Sequence, residues 1–274
     1  MRVMSTRRSP EPGILPHMIT ARFAYLDTPG PIAFAHRGGA AHGTENTLSA
    51  FARAVGLGYR YIETDTHATA DGVAVMFHDG TLARIAGRPE RIRDLRWADL
   101  ATIRVDGEPV APRLCDVLDA WPAVRLNIDV KADSAVEATI EAVRRAGALD
   151  RVLLASFSDA RTARMRAALG PAVATSLGTR SVARLWAASR VGRGATGLST
   201  WAAAAQVPVR QGPVRVVDER FVRYAHRLGL QVHVWTVDAP DRMNELLDLG
   251  VDGIMTDRID ILRDVYTARG CWPA

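Results

Sequence analysis

From Pro31 onward one pattern repeats along the chain. A short apolar run of strand length is followed by a longer stretch with helical spacing, and then by another run. Strand-like runs lie at 32–36, 59–65, 73–78, 124–130, 152–156, 172–176, 232–237 and 253–256, with a weaker one within 197–209. Helical patterns fall between them at 47–55, 114–121, 134–146, 159–169, 218–228 and 241–249. Strands buried on both faces read as near-continuous apolar runs, and parallel neighbours need a helix-length crossover between them. The alternation therefore predicts a parallel α/β fold, an irregular (β/α)8 barrel of the triosephosphate-isomerase type. Asn46 stands where a helix cap belongs, and Gly147 and Gly229 stand where helices end.

No break in composition divides residues 31–274, which read as one domain. Residues 1–30 carry Pro10, Pro12, Gly13 and Pro16 without periodicity and read as an irregular extension, with Met18 as a candidate internal start. Arg7-Arg8 is followed by Ser9-Pro10-Glu11-Pro12, where an export signal would need an apolar segment. Of the 274 residues 48% are hydrophobic and 24% charged, which suits a packed core rather than a disordered chain. No apolar run approaches the roughly 18 residues of a membrane-spanning helix. Cys115 and Cys271 are the only cysteines and neither lies in a CxxC pair, so a reducing, cytoplasmic setting is expected. The net charge of +5 comes from scattered arginines, and no nucleic-acid partner is predicted from it.

Chemistry in such a barrel collects at the carboxyl ends of the strands, whose loops converge on one mouth. Here those ends read His36-Arg37-Gly38-Gly39, Glu63-Thr64-Asp65, His78-Asp79 and Asp129-Val130-Lys131. Side chains alternate along a strand, so Glu63 and Asp65 share one face, as do Asp129 and Lys131. Two carboxylates on one inward face repel unless a cation lies between them, and all-oxygen ligation suits Mg²⁺ or Ca²⁺. Lys131 is the single lysine among 35 basic residues, a contrast that favours a compact ammonium with a specific task. The 65–73 link is too short for a helix, and Asp71-Gly72 reads as a turn that returns His78 to the level of Asp65. Two histidines flanking a phosphate can divide proton removal and proton donation. Gly38 and Gly39 permit a tight turn, and Trp235 is read as a pocket wall. His233 is read as core, Asp257 as closing a turn after the last strand, and His17, His42, His67 and His226 as ordinary polar residues.

At these positions the sequence resembles the glycerophosphodiester phosphodiesterase family. The ordered set comprises His36-Arg37-Gly38, Glu45-Asn46-Thr47, Glu63-x-Asp65, Thr69-x-Asp71-Gly72, His78-Asp79, Asp129-Val130-Lys131, Ser156-Phe157, Trp235-Thr236-Val237 and the run Gly250 to Asp257. The resemblance implies metal-dependent hydrolysis of glycerophosphodiesters to sn-glycerol 3-phosphate and an alcohol. It implies one divalent ion on Glu63, Asp65 and Asp129, with His36 and His78 as the acid/base pair. Arg37 and Lys131 would hold the phosphate and Trp235 would stand near the glycerol. The substrate's neighbouring hydroxyl would attack phosphorus, giving a cyclic phosphate that water opens. Three departures stand out: Thr44 replaces the family's usual proline, Asp129 replaces a glutamate, and the 82–112 insertion is brief. The alternatives are a related phospholipase acting on lysophospholipids or phosphoinositides, and a non-catalytic binding protein on the same barrel.

Overall fold

The computed structural model describes residues 22–191 and 201–272. Eight parallel strands form the central sheet: β1 Ile32–His36, β2 Tyr61–Ala68, β3 Arg125–Val130, β4 Val152–Ala155, β5 Ala174–Thr175, β6 Ala204–Pro208, β7 Gln231–Trp235 and β8 Gly253–Thr256. Each is followed by a helix: α1 Leu48–Gly56, α2 Leu114–Ala120, α3 Ala135–Arg145, α4 Asp159–Leu169, α5 Thr179–Val191, α6 Glu219–Arg227, α7 Pro240–Asp248 and α8 Ile259–Ala268. The strands pair in the order β5-β4-β3-β2-β1-β8-β7-β6. A parallel bridge between Ser176 and Ala204, with Ala203 N donating to Thr175 O at 2.7 Å, draws the two ends together into a nearly closed barrel.

Alternation along the strands sorts side chains into two layers. Ala33, Ala35, Ile62, Leu126 and Ile128 face outward into the shell between strands and helices. Phe34, Tyr61, Leu153, Ala174, Ala204 and Met255 fill the interior. That interior is tight: a Cβ on Gly253 would lie 2.8 Å from the Phe34 ring. A single 3-10 turn, Ala24–Leu26, plugs the floor. Tyr25 meets Tyr61 edge-on with centroids 5.3 Å apart, and its carbonyl accepts from the Tyr61 hydroxyl at 2.7 Å. Residues 22–30, assigned by the sequence to the irregular extension, thus lie partly inside the barrel core.

The 65–73 link is a hairpin, as its turn signal implied. The short strand Ala74–Met76 runs antiparallel to the end of β2, pairing Thr66 with Met76 and Ala68 with Ala74. The barrel therefore takes no strand from 73–78. The 82–112 insertion packs on this hairpin around its own small core of Val75, Phe77, Leu82, Ile92, Leu100 and Val110.

Two helices escaped the periodicity reading. In α5 the buried face is Ser181, Leu185 and Ser189, so two serines at i and i+8 hide the apolar stripe. In α8 the β-branched residues Ile259, Ile261, Val265 and Thr267 resemble a strand locally, whereas the helix buries Ile259, Leu262, Val265 and Tyr266. The weak strand within 197–209 is β6, and its residues 197–200 lie outside the described ones. So do Arg7, Arg8, His17 and Met18. Gly147 and Gly229 adopt left-handed φ of 58° and 71° at helix ends, as expected. The cap of α1 is Thr47, whose Oγ1 accepts from Ala50 N at 3.1 Å; Asn46, expected there, has another task.

Candidate active site

The parallel register stacks the polar residues in layers at the barrel mouth. His36 lies beside Glu63, Glu63 beside Asn127, and Asp65 beside Asp129. All eight residues singled out from the sequence, His36, Arg37, Glu63, Asp65, His78, Asp129, Lys131 and Trp235, line one cavity of about 570 Å³.

The turn after β1 explains why glycine follows His36-Arg37. Arg37, Gly38 and Gly39 all have positive φ, at 53°, 81° and 96°. A Cβ on Gly38 would come within 2.7 Å of Phe51 and 2.9 Å of the Ala50 backbone, so α1 packs directly on the turn. This corner brings Arg37 N to Glu63, donating to its carbonyl at 2.9 Å and to Oε2 at 3.2 Å. Asn46, also left-handed at φ 54°, is buried below the corner. Its amide donates to Asp65 Oδ2 at 2.9 Å, and its carbonyl accepts from the Thr64 hydroxyl at 2.8 Å.

Both histidines are held the same way. His36 Nδ1 bonds Asp257 Oδ1 at 2.6 Å, which leaves Nε2 facing the site, 3.6 Å from Glu63 Oε2. His78 Nδ1 bonds Asp79 Oδ1 at 2.7 Å. A carboxylate on Nδ1 fixes the tautomer and ring orientation, so Nε2 is the atom free to exchange a proton. Asp257 is therefore an orienting partner rather than a turn closure, and Asp238 Oδ1 steadies it by accepting from its backbone N at 2.9 Å. Asp79 in turn accepts from Arg84 Nε at 2.6 Å, and the other arm of Arg84 grips both oxygens of Glu45 at 3.0 and 2.6 Å. Glu45 also accepts from Arg37 Nη1 at 3.1 Å. His67 bonds the carbonyl of His78 through Nε2 at 3.2 Å, and so supports the site from behind.

The acids and cations form one network. Lys131 Nζ lies 2.7 Å from Asp65 Oδ1 and 2.7 Å from Asp129 Oδ2. Arg37 Nε is 3.2 Å from Asp65 Oδ2, an ion-pair distance without hydrogen-bond alignment. Burial, and next the charge of Asp65, push the Glu63 carboxyl up to about 7. Burial also raises Asp129, against the pull of Lys131. For Asp65 burial acts in the same sense, but Lys131 and Arg37 outweigh it and its pKa falls. Burial disfavours the charged form of His36, yet Glu63 and then Asp257 prevail and its pKa is raised.

Three buried carboxylates in adjacent layers, with Asp129 Oδ1 and Asn127 Oδ1 buried and without hydrogen-bond partners among the described residues, are the chemistry that a hard cation takes. Among the described residues no three acidic, imidazole or thiol groups converge closely enough to hold an ion as they stand; Lys131 supplies the positive charge between Asp65 and Asp129.

Above this floor, Trp235 meets Phe157 edge-on with centroids 5.8 Å apart, and Lys131 Nζ lies 5.7 Å from the Phe157 ring. His233, one step deeper than Trp235, is core as expected. It is fully buried between Gln206 and Gln231, and burial pushes its pKa down to about 4. Sequence reasoning missed the roles of Asn46, Asp79, Arg84 and Asp257. Adjacency to His78 was the one local signal, for Asp79.

Proton-exchanging groups and cations that converge at one barrel mouth mark an enzyme for an anionic ester. Comparison with known proteins narrows that class. The chain belongs to the glycerophosphoryl diester phosphodiesterase family, whose family model matches residues 36–261, and it is a phosphoric diester hydrolase. A Mycobacterium tuberculosis protein named "Probable glycerophosphodiester phosphodiesterase 2" is 43% identical over 254 residues, covering 90% of this chain and 95% of its own. A Silicibacter pomeroyi crystal structure superposes with a TM-score of 0.73 at 24% identity, over 90% of this chain and 98% of that one. An Oleispira antarctica phosphodiesterase in complex with the product sn-glycerol-3-phosphate superposes with a TM-score of 0.70 at 19% identity, over 87% and 97%.

Proposed function

We propose that the chain hydrolyses glycerophosphodiesters to sn-glycerol 3-phosphate and an alcohol, with His36 and His78 as the acid/base pair. The observation that carries this reading is the shared anchoring of the two histidines: each has Nδ1 on an aspartate, which leaves Nε2 for proton exchange beside a floor of cations and acids. One histidine takes the proton from the attacking hydroxyl of the glycerol and the other protonates the leaving alkoxide. Water then opens the cyclic phosphate with the roles reversed, so one water is consumed and no protein nucleophile is needed. Arg37 and Lys131 balance the charge that builds on the phosphate oxygens. Trp235 forms the wall on the glycerol side.

Glu63, Asp65 and Asp129 would hold one divalent ion, Mg²⁺ or Ca²⁺, which when bound polarises a phosphoryl oxygen. Asp129 is a methylene shorter than the glutamate usual in the family, so ion preference is a property to be measured here. No helix among the described residues is long and apolar enough to cross a membrane. Both cysteines are free.

The test is release of glycerol 3-phosphate from glycerophosphocholine and glycerophosphoethanolamine after EDTA, then with Mg²⁺, Ca²⁺ or Mn²⁺ restored. Loss with EDTA and recovery with one ion is expected. His36→Ala and His78→Ala should each lower kcat by about 10²–10⁴-fold at unchanged circular dichroism. Wild-type turnover in either variant would remove that histidine from the mechanism, and activity untouched by EDTA would remove the metal.

A further inference from the structure

Lys131 owes its place to its backbone as well as to its charge. β3 pairs with β4 only as far as Asp129, which lies beside Ala155, the last residue of β4. The carbonyls of Val130 and Lys131 thus run past the neighbouring strand, and carbonyls that leave a sheet need other donors. The corner between β4 and α4 supplies them. Ser156 Oγ donates to Val130 O at 2.8 Å, and Arg161 Nη1 donates to Lys131 O at 2.9 Å. The same Nη1 lies 3.4 Å from Ser156 Oγ and 3.5 Å from Val130 O, so the guanidinium fills the corner. Its Nε donates to Asp133 Oδ1 at 2.6 Å, just beyond Lys131 in the chain. On the opposite side Lys131 N donates to Thr66 O at 3.1 Å. The ammonium reaches Asp65 and Asp129 from a backbone held on both sides.

We propose that Arg161 is a positioning residue of the phosphodiesterase, which holds the backbone of Lys131 from behind and so aims its ammonium at the substrate's phosphate. The inference rests on the assignment of Lys131 to the phosphate made above. Lys131, Ser156 and Phe157 line the cavity, whereas Arg161 does not, so it acts through its neighbours. A contrast on the same helix separates this role from an ordinary surface ion pair. Arg164, one turn further along α4, pairs with Glu137 of α3 at 2.9 Å, and its side chain is 49% exposed. Exposed pairs of that kind contribute little. The Arg161 side chain is 22% exposed and turns its second nitrogen inward, onto the lysine's own carbonyl. Stabilisation of charge in a transition state depends on groups fixed beforehand. A lysine stem is flexible and supplies no aim of its own, so any tilt at its base is carried to the ammonium. The forked guanidinium removes that tilt by tying Lys131 O to Asp133 and to the corner that carries Phe157, whose ring lies 5.7 Å from Lys131 Nζ.

The experiment combines kinetics on glycerophosphocholine, with the activating ion present, and a spectroscopic reading of the lysine itself. Lys131 is the chain's single lysine, so lysine labelled with ¹³C at Cε gives one side-chain signal, whose two protons are inequivalent while the stem is held. Arg161→Met should lower kcat by about 10–10²-fold at unchanged circular dichroism, and should shift the Lys131 signal and merge its two protons. Arg164→Met should stay within about twofold of wild type and leave that signal in place. In a Lys131→Met background, Arg161→Met should cost less than about threefold, because the residue it acts through is gone. Arg161→Gln keeps one amide donor; it should be intermediate, and it carries the test if the methionine variant does not fold. Wild-type kcat in Arg161→Met would overturn the inference. So would an unmoved Lys131 signal, or a loss as large in the Lys131→Met background as in the wild type. Each of these leaves the role of Lys131 standing. Wild-type turnover in Lys131→Met would remove that role and the inference together.

Discussion

Asn46 is a small amide that holds the site together without touching its outer surface. It spans Thr64 and Asp65 with one amide group and does so from a left-handed backbone that asparagine tolerates better than most residues. Arg84 has an analogous place on the other side. It joins Asp79, the partner of His78, to Glu45, the partner of Arg37, so one guanidinium braces both the histidine proposed for proton transfer and the arginine proposed to hold phosphate. Only a rigid, forked cation can serve both carboxylates, which is why lysine is not equivalent here. Arg84→Met is expected to lower kcat/KM by about 10–10²-fold through misplacement of these groups, with Arg84→Lys intermediate. Steady-state kinetics across a pH series checks this; an unchanged kcat and pH profile in Arg84→Met would show that the insertion does not position the site.

Elements matter here through what they cover. The 3-10 turn before β1 closes the barrel floor with Phe23, Tyr25 and Leu26, all buried. Tyr25 packs its ring on Tyr61 while its hydroxyl is buried with no hydrogen-bond partner among the described residues. Tyr25→Ala should cost about 3–5 kcal/mol from lost contacts and a void. Tyr25→Phe keeps the ring and removes the unpaired hydroxyl, so it should be neutral or stabilising by about 1 kcal/mol. Chemical denaturation of the two variants separates these outcomes, and equal destabilisation in both would mean that the hydroxyl is satisfied. The hairpin after β2 works on the same principle at the mouth: it lies off the barrel's strand order and brings His78 to the cavity, with Asp79 on its Nδ1.

For the whole molecule, the interior histidine predicts acid sensitivity. His233 is neutral in the folded barrel, with Nε2–H donating to Gln231 and Nδ1 accepting from Gln206. Its pKa is about 4 folded against 6.5 for an ordinary histidine. The unfolded chain therefore binds a proton that the fold excludes. This stabilisation is complete above about pH 6.5 and declines as pH falls towards 4, by on the order of 3 kcal/mol. His226, raised chiefly by its bond to Asp252, acts in the opposite sense: its contribution is full below 6.5 and is lost as pH rises through its folded pKa. Thermal unfolding of wild type and His233→Gln from pH 7 to 4 should show the wild type losing more stability. Parallel curves would refute this account.

The sequence by itself determined the parallel barrel and the identity of the residues at its mouth. Apolar period, strand length and alternation of faces are local properties, so Glu63 with Asp65, Asp129 with Lys131, and the hairpin at Asp71-Gly72 were legible from spacing alone. Trp235 as a pocket wall and His233 as core followed from the same alternation. Partners distant in sequence were not legible. Asp257 joins His36 across 221 residues, and Arg84 joins Glu45 across 39, because barrel closure and the folded insertion bring them together. Nor was α5 legible, since its buried face is mostly serine and only its neighbours make that face interior. The grip of Arg161 on the Lys131 carbonyl has the same origin: it spans 30 residues, and it forms only when the barrel draws the start of α4 beside the end of β3.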